Sequence, residues 1–375
     1  NILWNELAER DKSVVVIPRN SLQAEHYGEL LTGQRTCSKD AGYYSLSGAL
    51  EALRDVVFDT VKISLRGNHL PSPFFRQLVT LPHRRVVYRA LFNRFDFKNF
   101  WCRDDYNADH HMRSQELRRA GSKSFGVMHG IPAICAVMQQ LRHLDFDVYF
   151  VAGTYQYERY YKEKWPAHMR VQSIGTFGLT REEFWKLREP KKRDIALFIG
   201  RIFQEDQSIA ATKALAEAFP DKKLYINARA KDLDPSTSFG RKMQAFLDTA
   251  PNNVILHSGR AYDLLFCCTY AFSDGSTLSA EALQVGLDSY IFDFQPTVWK
   301  VLNYRELPGV CVNSVDQAID VIKKAEDGTW FLPRETYPSL IDLSGKIAWD
   351  QILWDMGVLN EPPAPLPHLA AITPN

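Results

Sequence analysis

Short apolar runs alternate with longer segments of helical spacing along this chain, most cleanly in its second half. Residues 195–199, Ile-Ala-Leu-Phe-Ile, form an apolar run that stops at Gly200-Arg201. The next segment spaces Ile209, Thr212, Leu215, Ala216 and Phe219 along one helix face. Residues 223–227 predict a second strand, 241–247 a helix and 253–257 a third strand. The cycle repeats with an apolar run at 270–272, a helix over 277–285 and a strand at 289–293. Strands that alternate with helices require a parallel sheet, because each right-handed crossover lays its helix over a sheet face.

The first half follows the same scheme less regularly. Strands are predicted at 13–18, at 56–58 with 61–64, and at 97–102, 124–128 and 148–151. Helices are predicted at 113–120 and at 133–141, the second opened by Pro132 at a position suited to the first turn. Between the halves, Glu189-Pro190-Lys191-Lys192-Arg193 makes a polar, proline-containing join, which places a domain boundary near 190. Near the other end, Ile347, Trp349, Ile352, Leu353, Trp354 and Met356 have the spacing of a packed helix that docks back across the domain junction. The expected organisation is therefore α/β, with two Rossmann-like domains over 1–190 and 191–338 facing across a cleft. A helical segment over 339–360 and a Pro-rich tail or linker over 361–375 complete it.

Composition narrows the function. A chain of 375 residues exceeds the usual size of one core, and 45% apolar with 24% charged residues is an ordinary globular balance. The 45 basic and 44 acidic residues nearly cancel, so the broad positive field of a duplex-binding protein is missing and no nucleic-acid partner is expected. Six cysteines at 37, 102, 135, 267, 268 and 311 show no CxxC pair and no zinc-ligand spacing, which reads as reduced thiols in a cytoplasmic protein. No apolar run approaches the roughly 20 residues that span a bilayer, and residues 1–6 do not read as a secretory signal, so membrane contact is at most peripheral. The missing initiator Met and the proline-rich end at 361–367 carry the expectation of a module from a longer polypeptide.

Ligands of open parallel sheets bind beyond the carboxyl ends of the strands. Those positions are Gly200-Arg201, Asn227-Ala228-Arg229, His257-Ser258 and Asp274-Gly275-Ser276-Thr277. The last leads into Leu278-Ser279-Ala280-Glu281, where small residues, hydroxyls and a helix N-terminus offer a phosphate site. Glu281, one turn later, can accept hydrogen bonds from ribose or sugar hydroxyls. The alternative for this run is ordinary helix capping. Arg201 and Arg229, at equivalent places after two strands, are suited to neutralising a diphosphate, although each alone fits a surface arginine. In the first half, Asp104, Asp105 and His129 follow strands and supply acid/base candidates, against an ion pair with Arg103 or a packed histidine. The adjacent aspartates lack a third ligand at metal spacing, and His110 and His111, at a helix start, are expected to serve local packing or solvation.

These residues carry a resemblance. Gly200-Arg201, Asn227-Ala228-Arg229 and Asp274–Leu283 followed by Gly286 resemble the donor-binding domain of GT-B glycosyltransferases. Phe125-Gly126-Val127-Met128-His129-Gly130-Ile131-Pro132 resembles the acceptor domain of bacterial surface-polysaccharide enzymes, including the CDP-glycerol glycerophosphotransferase-like group. The resemblance covers about two-thirds of the chain at the level of pattern. The paired glutamates of one retaining group, and the His-Pro and Ser-Ser motifs of sialyl- and Kdo-transferase relatives, are absent.

The resemblance implies a metal-independent sugar or polyol-phosphate transferase for lipopolysaccharide O-antigen or capsule, without a cofactor, in the cytoplasm or at the inner face of the membrane. Its donor nucleotide sugar would be held by Gly200, Arg201, Arg229, His257, Asp274, Gly275, Ser276, Thr277, Ser279 and Glu281. Its glycan acceptor would meet Asp104, Asp105 and His129. Two alternatives stand beside it: a nucleotide-sugar 2-epimerase, which needs no acceptor, and a non-catalytic glycan- or nucleotide-binding module of a larger assembly protein.

Overall fold

The computed structural model describes residues 2–10, 15–16, 35–36, 46–66, 75, 78–103, 109–128, 141, 143–187, 191–200, 205–295, 304–305, 307–333, 337, 342 and 344–367. Its backbone contacts define two compact units, residues 1–126 with 144–148, and residues 127–143 with 149–375.

The first unit opens with helix α1 (Ile2–Ala8) and a two-residue parallel pairing of β1 (Val15–Val16) with β2 (Arg35–Thr36). Helices α2 (Leu46–Arg66) and α3 (Leu81–Arg94) follow, then β3 (Asn99–Cys102), α4 (Asp109–Arg119) and β4 (Lys123–Val127). Strands β3 and β4 run parallel, Asn99 opposite Lys123 and Cys102 opposite Gly126. The strand order continues β3-β4-β5-β6, where β5 (Val148–Val151), beyond Val148, and β6 (Arg170–Ser173) belong to the second unit. The core of this unit gathers Leu81, Tyr88, Leu91, Phe92, Met112 and Leu117.

Residues 56–64 are helical, where the sequence predicted two strands. Their β-branched residues mimic short strands, but Leu46, Leu50, Leu53, Val57, Val61 and Leu65 recur every three or four positions. On another face Asp55 and Asp59 meet Arg89 and Arg85 of α3, at 2.7 and 2.6 Å. The acidic face thus packs inward and the apolar stripe is exposed. The predicted helix at 133–141 lies outside the described residues except for Leu141. His110 is buried and stacks on Phe146 with ring centroids 5.1 Å apart, as local packing requires.

The second unit continues from a single π-helical turn (Tyr157–Tyr161) and α5 (Arg181–Lys186), opened by a Thr180–Glu183 capping box, into β7 (Asp194–Phe198). Then come α6 (Glu205–Ala218), β8 (Leu224–Asn227), α7 (Ser238–Leu247), β9 (Val254–Leu256) and α8 (Leu264–Cys267). β10 (Cys268–Ser273), α9 (Thr277–Gln284), β11 (Asp288–Phe292), β12 (Cys311–Val312), α10 (Val315–Glu326) and α11 (Ala348–Asp355) complete it. The six strands lie in the order β12-β11-β10-β7-β8-β9, every pair parallel. The chain starts at the middle with β7, builds outward to β9, then returns beside β7 with β10 and builds the other way. This is the doubly wound order of a Rossmann-type sheet, and its switch point lies between β7 and β10.

Buried Ile195, Leu197, Phe272, Tyr290 and Phe292 of the strands pack with Leu215 of α6, Phe239 and Met243 of α7 and Ile322 of α10. Each such side chain contributes about 1.5–3 kcal/mol by leaving water. Helix α11 buries Trp349, Ile352 and Leu353, and the Trp349 indole donates to the Leu179 carbonyl at 3.0 Å. Arg170 and Arg181 bind Asp355 and Asp350 at its two ends.

Candidate functional site

At the switch point, β7 and β10 end side by side, Phe198 opposite Ser273. The Gly200 amide donates to the Asp274 carboxylate at 3.2 Å, which ties the two strand ends together. A Cβ on Gly200 would stand 3.3 Å from Asp232 Oδ2 and 3.9 Å from Asp274 Oδ2. Glycine therefore leaves a gap between two carboxylates, one of them on the buried Asp232.

The loop from β10 to α9 turns at Gly275, whose φ of +95° lies in the region open to glycine. The Ser273 hydroxyl accepts from the amides of Gly275 and Ser276, both at 3.2 Å, and lies 2.5 Å from the buried Ser279 hydroxyl. Ser276 is the N-cap, and its Oγ accepts from the Leu278 amide at 3.3 Å. Buried Tyr304 donates to the Ser276 carbonyl at 3.0 Å, and burial followed by the charge of Glu281 pushes its phenol well above the usual range. Three amides at this helix start thus already have internal acceptors, at distances long for N–H to oxygen bonds. Ser279 faces inward, while Asp274, Gly275, Ser276 and Thr277 are only half-buried.

One turn along α9, Glu281 is buried and accepts from the Thr176 hydroxyl at 2.9 Å and from the Tyr262 hydroxyl at 2.9 and 3.0 Å. Gln284 Oε1 accepts from the Thr176 amide at 2.6 Å. Gly175 has φ +63°, and a Cβ there would collide with the Gln284 amide; a Cβ on Gly178 would collide with the Tyr262 ring. The segment after β6 is thereby strapped to α9. Thr176, Tyr262 and Gln284 had no sequence-level role as ligand-site residues. The available signal was a threonine between two glycines in Gly175-Thr176-Phe177-Gly178.

The remaining candidates are spread along the sheet. Arg229 is exposed after β8, and its carbonyl accepts from the amides of Asp232 and Leu233, starting the turn that brings Asp232 to Gly200. His257 follows β9, with its ring nitrogen 3.3 Å from the Arg260 carbonyl and 4.0 Å from Asp263. Asn227 donates to the carbonyls of His257 and Gly259. Gly200, Asp274, Gly275, Ser276 and Thr277 therefore cluster at the switch point, with Glu281 one helical turn on. Arg201, Asp104, Asp105 and His129 lie outside the described residues. Among the described residues no group of three His, Cys, Asp or Glu is placed to hold a metal ion. No described helix is long and apolar enough to cross a membrane.

No protein-family model and no curated protein sequence matches this chain. Solved structures do. The chain is similar to a UDP-N-acetylglucosamine 2-epimerase at 10% identity and a TM-score of 0.53, over 97% of this chain and 94% of that one. It is similar to the UDP-GlcNAc 2-epimerase of Neisseria meningitidis, determined with UDP-GlcNAc bound, at 11% identity and 0.51, over 87% of each. A Listeria monocytogenes protein assigned as a UDP-N-acetylglucosamine 2-epimerase matches at 12% identity and 0.50, over 97% and 94%. Glycosyltransferases are also among the matches, at TM-scores of 0.43 to 0.48. At such identities the likeness is one of fold: the chain is an α/β protein of the GT-B type, built from two Rossmann-like domains.

Proposed function

We propose that this chain is a GT-B enzyme acting on a nucleotide-activated sugar, and that it transfers the sugar to a glycan acceptor in surface-polysaccharide assembly, lipopolysaccharide O-antigen or capsule. The observation that carries the reading is the cluster of Gly200, Asp274, Gly275, Ser276 and Thr277 at the switch point of a doubly wound sheet, where such sheets bind nucleotides. The division of labour in this reading gives residues 191–338 the donor and residues 1–190 the acceptor.

The long bonds from Gly275, Ser276 and Leu278 to serine hydroxyls are weak, and a diphosphate offers the same amides shorter, charge-assisted ones. Arg201 and Arg229 would balance the phosphate charge as the leaving group departs. Glu281, which accepts from the Thr176 and Tyr262 hydroxyls, is the candidate acceptor for a ribose hydroxyl in this reading. Asp104, Asp105 and His129 are the acid/base candidates for the acceptor hydroxyl. The reading requires no resident metal or cofactor, and its setting is the cytoplasmic face of a membrane.

A second reading, nucleotide-sugar 2-epimerase, is favoured by the three structural likenesses at TM-scores of 0.50 to 0.53. One experiment separates them. Calorimetry against UDP-, GDP-, CMP- and CDP-sugars identifies the donor, with binding weakened in Arg201→Ala and Glu281→Ala. Incubation of the bound donor without acceptor, followed by sugar analysis, then decides. A new C2 epimer establishes the epimerase; unchanged donor that releases nucleotide only with a glycan acceptor establishes the transferase. A folded protein that binds no nucleotide sugar overturns both and leaves a glycan-binding module.

A further inference from the structure

Cys267 and Cys268 stand where α8 passes directly into β10, and their Sγ atoms are 3.8 Å apart. Cys267 is half-buried and Cys268 is fully buried behind it. The backbone around them is held in place: the Lys192 amide donates to the Cys267 carbonyl at 3.1 Å, and the Thr269 hydroxyl donates to the Lys192 carbonyl at 2.9 Å. One thiol is thus within reach of a small reagent, and its partner sits beside it in a fixed position.

We propose that Cys267 and Cys268 form a peroxide-sensitive dithiol, in which Cys267 is the sulfur that reacts with peroxide and Cys268 the resolving one. The Cys267 thiolate attacks one oxygen of a hydroperoxide and the O–O bond breaks. Hydroxide, or alkoxide, leaves and takes up a proton, and Cys267 becomes a sulfenic acid. The Cys268 sulfur then attacks the Cys267 sulfur, an S–S bond replaces the S–O bond, and water leaves with the Cys268 proton. In sum two thiols lose two electrons and two protons to the peroxide.

The electrostatics favour Cys267 as the sulfur that reacts with peroxide first. A hydrogen bond from the Cys268 thiol, helped by the charge of Lys192 and opposed by burial and by Asp194, brings Cys267 down to about 7. The same hydrogen bond and deep burial push Cys268 far up, with Asp194 adding to the shift and Lys191 opposing it. Neighbouring Cα atoms are about 3.8 Å apart, below the usual disulfide span of about 4.4–6.8 Å, so the closed ring is strained and easily reduced. The register of β10 against β7 already shifts between Cys268 and Tyr270, which gives the strand a place to absorb the closure.

The test uses the full chain, freed of reductant and titrated with hydrogen peroxide at pH 7. Alkylation of the remaining thiols and peptide mass spectrometry follow. The expected result is a peptide spanning both residues that is two hydrogens lighter and unalkylated at both, formed at doses that leave Cys311 alkylatable. Dithiothreitol should restore both thiols. Without peroxide, Cys267 should alkylate on the order of a hundredfold or more faster than Cys311, which is also half-buried but whose thiol desolvation pushes up to about 12. In Cys268→Ser a sulfenic acid trappable by dimedone should persist at Cys267; the wild-type mass shift decides the matter even if that variant fails to fold. Sulfenic or sulfinic acid accumulating at Cys267 in the wild type, or Cys267 reacting no sooner than Cys311, would overturn the proposal.

Discussion

Glu281 illustrates how much depends on single atoms here. Its carboxylate is the shared acceptor of the Thr176 and Tyr262 hydroxyls, and both donors come from segments remote in sequence. Replacing it with Gln keeps the shape but removes the charge and turns one acceptor oxygen into a donor, so at least one of the three contacts with the Thr176 and Tyr262 hydroxyls loses its acceptor. We expect Glu281→Gln to cost about 1–3 kcal/mol in urea denaturation and to weaken nucleotide-sugar binding at the same time. Gly175→Ala probes the strap from the other side. A methyl there meets the Gln284 amide and must adopt a positive φ, so a loss of about 1–2 kcal/mol is expected. The loss should exceed that of Gly328→Ala, which shares the positive φ, at +69°, but whose methyl would meet open space. A wild-type denaturation midpoint for Gly175→Ala would show that the strap yields freely. Side chains such as Ser276 and Glu281 were legible in the sequence because they follow a strand at helix-start spacing. Thr176 and Tyr262 were not, because their roles exist only once distant segments meet.

Helices α2, α3 and α4 are joined by charge as much as by apolar contact. Glu116 of α4, 1% exposed, accepts from Arg85 at 2.9 Å, from Arg89 at 2.8 Å and from Arg119 at 2.9 Å. Burial alone would raise its pKa, but the hydrogen bonds from Arg89, Arg119 and Arg85 outweigh burial and hold it below the ordinary 4.5. The Arg89 hydrogen bond likewise holds Asp55 below its ordinary 3.8. A depressed folded-state pKa contributes stability that is present above the unfolded value and lost as pH falls through the folded one. Thermal melts should therefore fall as pH drops below about 4.5, and Glu116→Gln should flatten that acid slope. The substitution should itself cost about 3–5 kcal/mol, because it leaves buried arginines short of an anion. A Glu116→Gln melt equal to wild type at neutral pH would contradict this account. The same network explains why residues 56–64 read as strands: the short β-branched runs were visible, whereas the arginines that select the helix lie on α3.

At the scale of the molecule, the alternation of strands and helices from 195 to 293 made the doubly wound sheet legible, since each strand there centres on a run of three to five apolar residues. β12 offered no such run, being only Cys311–Val312, and its place at the sheet edge depends on pairing with β11. The helix predicted around Trp349 is present, and its burial gives a further expectation. Trp349→Ala should cost about 3–5 kcal/mol and lower the melting temperature, because it removes both a buried ring and the bond to Leu179. A loss below about 1 kcal/mol would mean that the helix is peripheral to the stability of its unit.

The position of β7 bears on how the chain comes to be folded at all. The first strand of the six-stranded sheet to be synthesised lies at its centre, with β8 on one side and β10 on the other. During synthesis one edge of β7 stays unpaired until β8, β9 and the helices between them have emerged and β10 has followed. An apolar strand waiting with an open edge is prone to pair with the wrong partner, and long-range parallel pairing is slow. Refolding of this unit should accordingly be limited by the arrival of β10, and premature termination before residue 268 should yield aggregates instead of a smaller folded sheet.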